Sequence, residues 1–332
     1  MYRGVLIPIL FSLFPASIFA QTGQQQPPPQ APKPTEVKPR LSDSATGYID
    51  NAIVGSRFRV RFDAGSGVKS PDRAEFFYAK CGCYRYLLSN DPNFDPNAPG
   101  PGSPGQIERK LNFQEFWLDP ELTVHRRASV FAEVPVVSID PTVVSHATGI
   151  GDVRFGFKGA AVSRENLFLT GQFRTYAPSG KAREGLGTNH WSIEPGLLYY
   201  QSFSSARIAL AGQFEFWHPI KGSAGSPTSS SSQHFAGNVV TYGFGGSYEV
   251  IDKPRFRAIP VVELVGWRVL GGFQTAANGP PVSADGVNIV NIKIGTRLDI
   301  GRPGSFYVGF GHALTNAVWY ENIVRTEYRI GF

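Results

Sequence analysis

The side chains best equipped for chemistry in this 332-residue chain are six histidines, two cysteines and 32 basic residues set against 26 acidic ones. His125, His146, His190, His218, His234 and His312 are scattered, and Ser145-His146 alone sets a hydroxyl next to an imidazole in the chain. Adjacent residues of a strand point to opposite faces, so that pair does not read as a nucleophile with its base. Pro178-Ser179-Gly180 has the residues of a turn, not of a nucleophile elbow. There is no His-x-Ser-Asn pattern of the barrel phospholipases and no paired acidic cluster, so the sequence predicts no enzyme. Cys81-Gly-Cys83 is compatible with a strained, readily reduced disulfide. With no further Cys or His close by, it predicts a loop staple and no metal site, and nothing else in the chain requires a cofactor.

The charged residues have a more regular pattern. In 57–63, RFRVRFD, the apolar Phe58, Val60 and Phe62 alternate with Arg57, Arg59, Arg61 and Asp63. Residues 290–300 alternate in the same way, as do 206–217. If the apolar face meets lipid, the polar face lines an interior. Arg57, Arg59, Arg61, Arg154, Lys158, Arg174, Arg207, Lys293, Arg297, Arg325 and Arg329 are then lumen-lining candidates. Asp63, Glu133, Glu215, Asp299 and Glu327 face them, which predicts a net cationic, anion-favouring lumen.

Elements of period two must carry these residues, and no stretch keeps helical spacing. Strands are expected at about 57–64, 108–118, 121–138, 151–162, 166–177, 190–203, 206–218, 234–250, 255–270, 286–300, 304–314 and 320–332. Short links, beginning with Asp119-Pro120, alternate with long ones rich in Pro, Gly, Ser and Asn. A soluble sandwich has no reason to sort its loops by length, whereas an outer-membrane barrel does. The fold class expected is all-β: a transmembrane antiparallel up-and-down barrel of about twelve strands, within a range of ten to fourteen. Composition agrees, with 13% aromatic and only 17% charged residues and a mean hydropathy of -0.15. No apolar run approaches the roughly 20 residues of a membrane helix. Trp191, Trp217, Trp267 and Trp319 fall beside long links and Trp117 near a short one, as two interfacial belts would have them. Pro135, Pro195 and Pro260 fall inside strands and should mark bulges or rim positions.

Ahead of the barrel, Arg3, the apolar run Val5 to Phe14 and the small-residue stretch ending at Ala20 read as a signal peptide over 1–20. Residues 21–56 form a Pro/Gln-rich flexible periplasmic segment, and 57–332 the barrel. Export to the outer membrane of a Gram-negative-type bacterium follows.

Two resemblances add to this. Tyr328-Arg-Ile330-Gly-Phe332 resembles the C-terminal aromatic signal of outer-membrane β-barrels, which implies that the barrel-assembly machinery recognises Tyr328, Ile330 and Phe332. Over 149–332 the chain resembles the barrel family named for the MetA-pathway of phenol degradation, often described as transporters. Gly149-Ile-Gly151-Asp152, Pro178-Ser179-Gly180 and Gly185-Leu-Gly187 stand where that family has GxGD, Pro-Thr-Gly and Gly-x-Gly, with Ser179 replacing the usual Thr. The resemblance implies a membrane pore or uptake barrel. The function expected is thus an outer-membrane channel or uptake porin for small solutes. The alternative is a non-transport barrel with a structural or surface-interaction role through its long loops. Lipid and small solutes are the expected partners, a homo-oligomer is left open, and nucleic acid is not expected because the basic residues form no exposed stripe.

Overall fold

The computed structural model describes residues 43–69, 110–142, 145–188, 190–203, 205, 207–220, 237–253, 256–274, 282–300 and 304–332. Residues 1–20, read in sequence as a signal peptide, residues 21–42, Cys81, Cys83 and His234 lie outside the described residues. Twelve long strands follow one another: β1 (Arg57–Val68), β2 (Leu111–His125), β3 (Ala128–Pro141), β4 (Arg154–Ser163), β5 (Leu167–Tyr176) and β6 (Ser192–Phe203), then β7 (Ile208–Pro219), β8 (Asn238–Tyr248), β9 (Phe256–Leu270), β10 (Asn288–Ile300), β11 (Gly304–Ala313) and β12 (Asn322–Gly331). Each pairs antiparallel with its neighbours in the chain, and β12 pairs with β1 from Arg57 opposite Gly331 to Ser66 opposite Asn322. The sheet has no free edge. It is a closed antiparallel twelve-stranded barrel.

Alternation decides which side chain goes where. Phe58, Phe62, Phe116, Val136, Phe157, Phe214, Phe244, Ile294 and Phe310 are exposed on the outer wall, while the polar residues between them are buried inside. Five tight connections close one end, and the longer ones leave from the other.

Three features differ from the sequence expectation. Asp119-Pro120 is not a turn: β2 runs on to His125 and turns at Arg126-Arg127. The Asp119 carboxylate instead faces inward and pairs with Arg59 at 2.7 Å, and Pro120 lies opposite Phe58. Four of the five tryptophans do not sit in interfacial belts; Trp191, half-buried, meets the exposed Phe155 edge-on at 6.5 Å between centroids. Trp117, Trp217, Trp267 and Trp319 are all at most 7% exposed and point inward. Arg61 and Arg154 stack over the Trp117 ring at 4.6 and 4.2 Å, and Trp267 and Trp319 meet at 4.5 Å between centroids. Finally, residues 43–56 are not a free tether but lie inside the barrel.

The prolines sit where a ladder is interrupted, as a missing N–H requires. Below Pro135, β3 pairs with β4 through Glu133 opposite Arg154. Above it, β3 pairs with a short strand, Ala147–Ile150, starting at Val136 opposite Ile150. Pro135 occupies the switch between partners. Pro260 likewise stands one residue beyond the end of the β8 ladder, which starts at Val261 opposite Ser247.

Candidate functional site

The interior is built around the segment 43–56, SDSATGYIDNAIVGS less its first Ser, which enters from the short-turn end and returns to it at β1. Ser44, Ala45, Thr46, Ile49, Asn51, Ala52 and Ile53 are each at most 5% exposed. A segment with no regular structure can be buried only if its backbone groups find partners elsewhere. Here the lumen side chains supply them. The Glu263 carboxylate on β9 accepts from the N–H groups of Gly47, Tyr48 and Ile49 at 3.2, 2.9 and 2.8 Å. Arg297 donates to the carbonyls of Ala45 and Thr46 at 3.1 and 3.0 Å. Arg325 donates to Gly47 O at 2.5 Å and Arg329 to Ser44 O at 3.1 Å. Lys158 reaches Asn51 O, Thr170 reaches Ala52 O, and Arg57 reaches Ile53 O. Gln213 Oε1 accepts from Asp50 N at 2.8 Å.

The plug adds its own acids to this scheme. Asp43 accepts from Arg57 and Arg329, both at 2.9 Å, near the short-turn end. Asp50, at the tip, pairs with Arg174 and accepts from Gln172 Nε2 at 2.9 Å. Gly47 lies against the Tyr307 ring so closely that a Cβ there would overlap it.

Ten of the eleven predicted basic positions face the lumen, as do all five predicted acids. Arg207 does not: it is an exposed turn residue with φ 55° ahead of β7. The expectation of a net cationic lumen does not survive the full register either. Glu115, Asp119, Glu121, Glu194 and Glu263 also point inward, and Arg257 joins the bases. Inward strand positions then carry eleven basic and ten acidic side chains among the described residues, and Asp43 and Asp50 raise the acids to twelve. Arg59 shows the pattern. It reaches Asp119 at 2.7 Å, Glu133 at 3.5 Å and Glu327 at 3.8 Å. Sequence alternation would have assigned Glu121 and Asp119 correctly had the β2–β3 turn been placed at 126–127.

Above the plug, on its long-loop side, a cavity of about 130 Å³ remains, with Tyr48 and Asp50 in its floor and Trp117, Trp267 and Trp319 in its wall. A smaller cavity of about 30 Å³ lies toward the short-turn end, lined by Asn51, Arg57, Lys158 and Arg329. Asp50, Arg59, Glu133 and Arg174 border both.

The motif residues noted in sequence form one knot at the mouth. The Asp152 carboxylate accepts from Gly180 N at 3.0 Å and from both Thr188 N and Thr188 Oγ1 at 2.7 Å. Ser179 Oγ donates to Gly151 O at 2.9 Å and accepts from Val153 N at 2.8 Å. Gly187 is needed because a Cβ there would overlap Asp152. Burial pushes the Asp152 carboxyl above its ordinary range, against the donors of Thr188 and Gly180. The knot folds Leu186, 4% exposed, inward across the mouth. Asp152→Ala removes these acceptors at about 1 kcal/mol each. The loop carrying the exposed Lys181 should therefore loosen, and trypsin should cut after Lys181 many times faster than in the parent, with the barrel's heat-shifted electrophoretic band unchanged.

Two serine–histidine contacts occur among the described residues, neither of them the Ser145-His146 pair read in sequence: buried His190 Nδ1 lies 3.0 Å from Ser192 Oγ, and the second involves His146. His146 and Ser145 are exposed, and His146 Nε2 lies 3.0 Å from Ser138 Oγ on the outer wall, where Thr148 Oγ1 also donates to Ser138.

No family model matches the chain, and no curated protein does. Solved structures do. An outer-membrane channel from Pseudomonas putida F1 aligns with TM-score 0.53 at 15% identity, over 87% of this chain and 100% of that one. The beta domain of the Bordetella autotransporter BrkA aligns at 0.47 and 11% identity, over 84% of this chain and all of its own, and the NanC porin at 0.46 and 9%, over 84% and 100%. The first of these shares the outer-membrane barrel fold.

Proposed function

We propose that the protein is an outer-membrane channel for small solutes, held closed by residues 43–56. The short-turn end then faces the periplasm, as in bacterial outer-membrane barrels, and both ends of the plug lie there. One observation supports this above the others: the lumen's charges are spent on the backbone of a removable segment. A barrel with a purely structural role could fill its interior with side chains alone, as eight-stranded barrels do. Near-balance of lumen charge argues for weak ion selectivity rather than an anion filter. In liposomes the purified chain should release small solutes slowly, and the rate should climb when the plug is destabilised. Vesicles that stay sealed under every plug-weakening condition would favour the non-transport alternative.

The C-terminal signal fits the same reading. Tyr328 and Phe332 are 42% and 74% exposed on the outer wall, free for an assembly factor to grip. Deleting Phe332 should lower the yield of heat-shifted, folded barrel several-fold in cells and leave refolding in detergent intact.

A further inference from the structure

The larger cavity is not evenly charged around its circumference. In a ring of twelve strands, β6 stands across from β12 and β7 across from β1. On the β5–β7 side, Arg174 serves four carboxylates: Glu194, Glu215 (3.6 Å), Glu133 (3.4 Å) and Asp50 of the plug. Gln172 and Tyr176 donate to Glu215 and Glu194 at 2.8 and 2.9 Å, but they carry no charge. Of the four, only Glu133, further round, has other cations within reach among the described residues, Arg59 at 3.5 Å and Arg154 at 3.8 Å.

The opposite side has the reverse imbalance. Arg325 and Arg61 share one carboxylate, Asp63, at 2.6 and 3.3 Å. Lys293, fully buried on β10, makes no ion pair among the described residues. Its ammonium donates to Tyr320 Oη at 2.5 Å and stands 4.2 Å from the centroid of the Tyr48 ring. Glu263 in that quarter is taken up by the plug's N–H groups, and Glu115, opposite Asp63 in the β1–β2 ladder, accepts from Trp117 Nε1 at 3.1 Å. The cavity wall there carries Arg59, Arg61, Lys293 and Arg325 against Asp63 and Glu115. Burying a charge is costly unless it is paired, and here one cavity is bordered on one side by carboxylates that outnumber their cation and on the other by a lysine with no ion pair among the described residues.

We propose that this cavity binds a small zwitterion, its cationic end at Glu194 and Glu215 and its anionic end at Lys293. Such a ligand satisfies both sides at once. A simple anion or cation satisfies one and repels the other. The proposal rests on the channel reading, in that the ligand would be the solute carried, but the site is defined by equilibrium binding alone.

The test is tryptophan fluorescence of the folded full chain, since three tryptophans line the cavity. It is titrated with β-alanine, γ-aminobutyrate and ε-aminocaproate, and with propionate and propylamine as singly charged controls. At least one ω-amino acid should bind about tenfold tighter than either control, the worth of one added charged hydrogen bond. Lys293→Met and Glu215→Gln should each erase that preference. Glu194→Gln serves if either fails to give the heat-shifted band. Equal binding of propionate and the amino acids, or no binding by any of them, overturns the proposal. Binding without flux through a plug-deleted barrel sinks the channel reading and leaves the site standing; flux without binding does the reverse.

Discussion

Deleting residues 43–54 should turn a nearly silent protein into an open pore. The plug fills the centre of the lumen, and no regular structure depends on it, since β1 starts at Arg57 and pairs with β12 and β2 through its own backbone. The bore left behind is that of a twelve-strand barrel, between the filled eight-strand and the aqueous sixteen-strand cases, so a conductance rise on the order of tenfold is expected. Planar bilayers give the measurement directly. The deletion also removes Asp43 and Asp50, leaving the strands' eleven basic and ten acidic inward groups. Reversal potentials in a salt gradient should then show at most a slight preference for anions. A deleted chain that folds, by its heat-shifted band, yet conducts no better than the parent would refute the plug's role.

The second large effect belongs to Glu263. Its side chain is fully buried and takes three consecutive plug N–H groups, with Tyr307 Oη 3.4 Å from the same carboxylate. Glu263→Leu leaves those donors without an acceptor, and each buried orphan costs about 1–3 kcal/mol. Water offers the released segment what the barrel no longer does. The open fraction should rise by about two orders of magnitude, since roughly 2.7 kcal/mol is a hundredfold. Glu263→Gln keeps an amide oxygen and should fall between the two. Chymotrypsin supplies an independent readout: Tyr48 lies within the plug, and cleavage after it should be slow in the parent and fast in Glu263→Leu. Unchanged cleavage in the leucine variant would mean that the latch lies elsewhere.

The barrel was legible in the sequence because period-two alternation is a local property and lipid enforces it on every strand. Residues 57–63 and 290–300 show it without interruption, and the structure turns their Arg, Asp and Lys inward. The turn at Asp119-Pro120 misled because its residues have turn chemistry, and nothing local reveals that Arg59, sixty positions earlier, holds Asp119 in mid-strand. The plug was the larger omission. Residues 43–56 have no periodicity and few large side chains, so they look like linker. They are ordered by partners up to 286 positions away, such as Arg329 on Asp43. One signal was nevertheless present. Eleven predicted inward cations against five acids is a charge that a closed interior cannot hold unmatched, and the missing partners included the carbonyls and carboxylates of the plug. The GxGD and Gly-x-Gly residues were visible as a pattern, but their joint task of tying the mouth loop to Asp152 needs the fold.

The plug's direct attachment to β1 makes it a tethered ligand of its own receptor. Short flexible tethers give effective concentrations in the millimolar range. A segment that, as a free peptide, bound the lumen at only about 1 μM would therefore keep closed and open states near a thousand to one. That ratio is about 4 kcal/mol. It is unimolecular, so neither protein concentration nor dilution into a membrane alters it. Closure then needs no tight binding, and loss of two or three of the bonds described above is enough to bring the two states level.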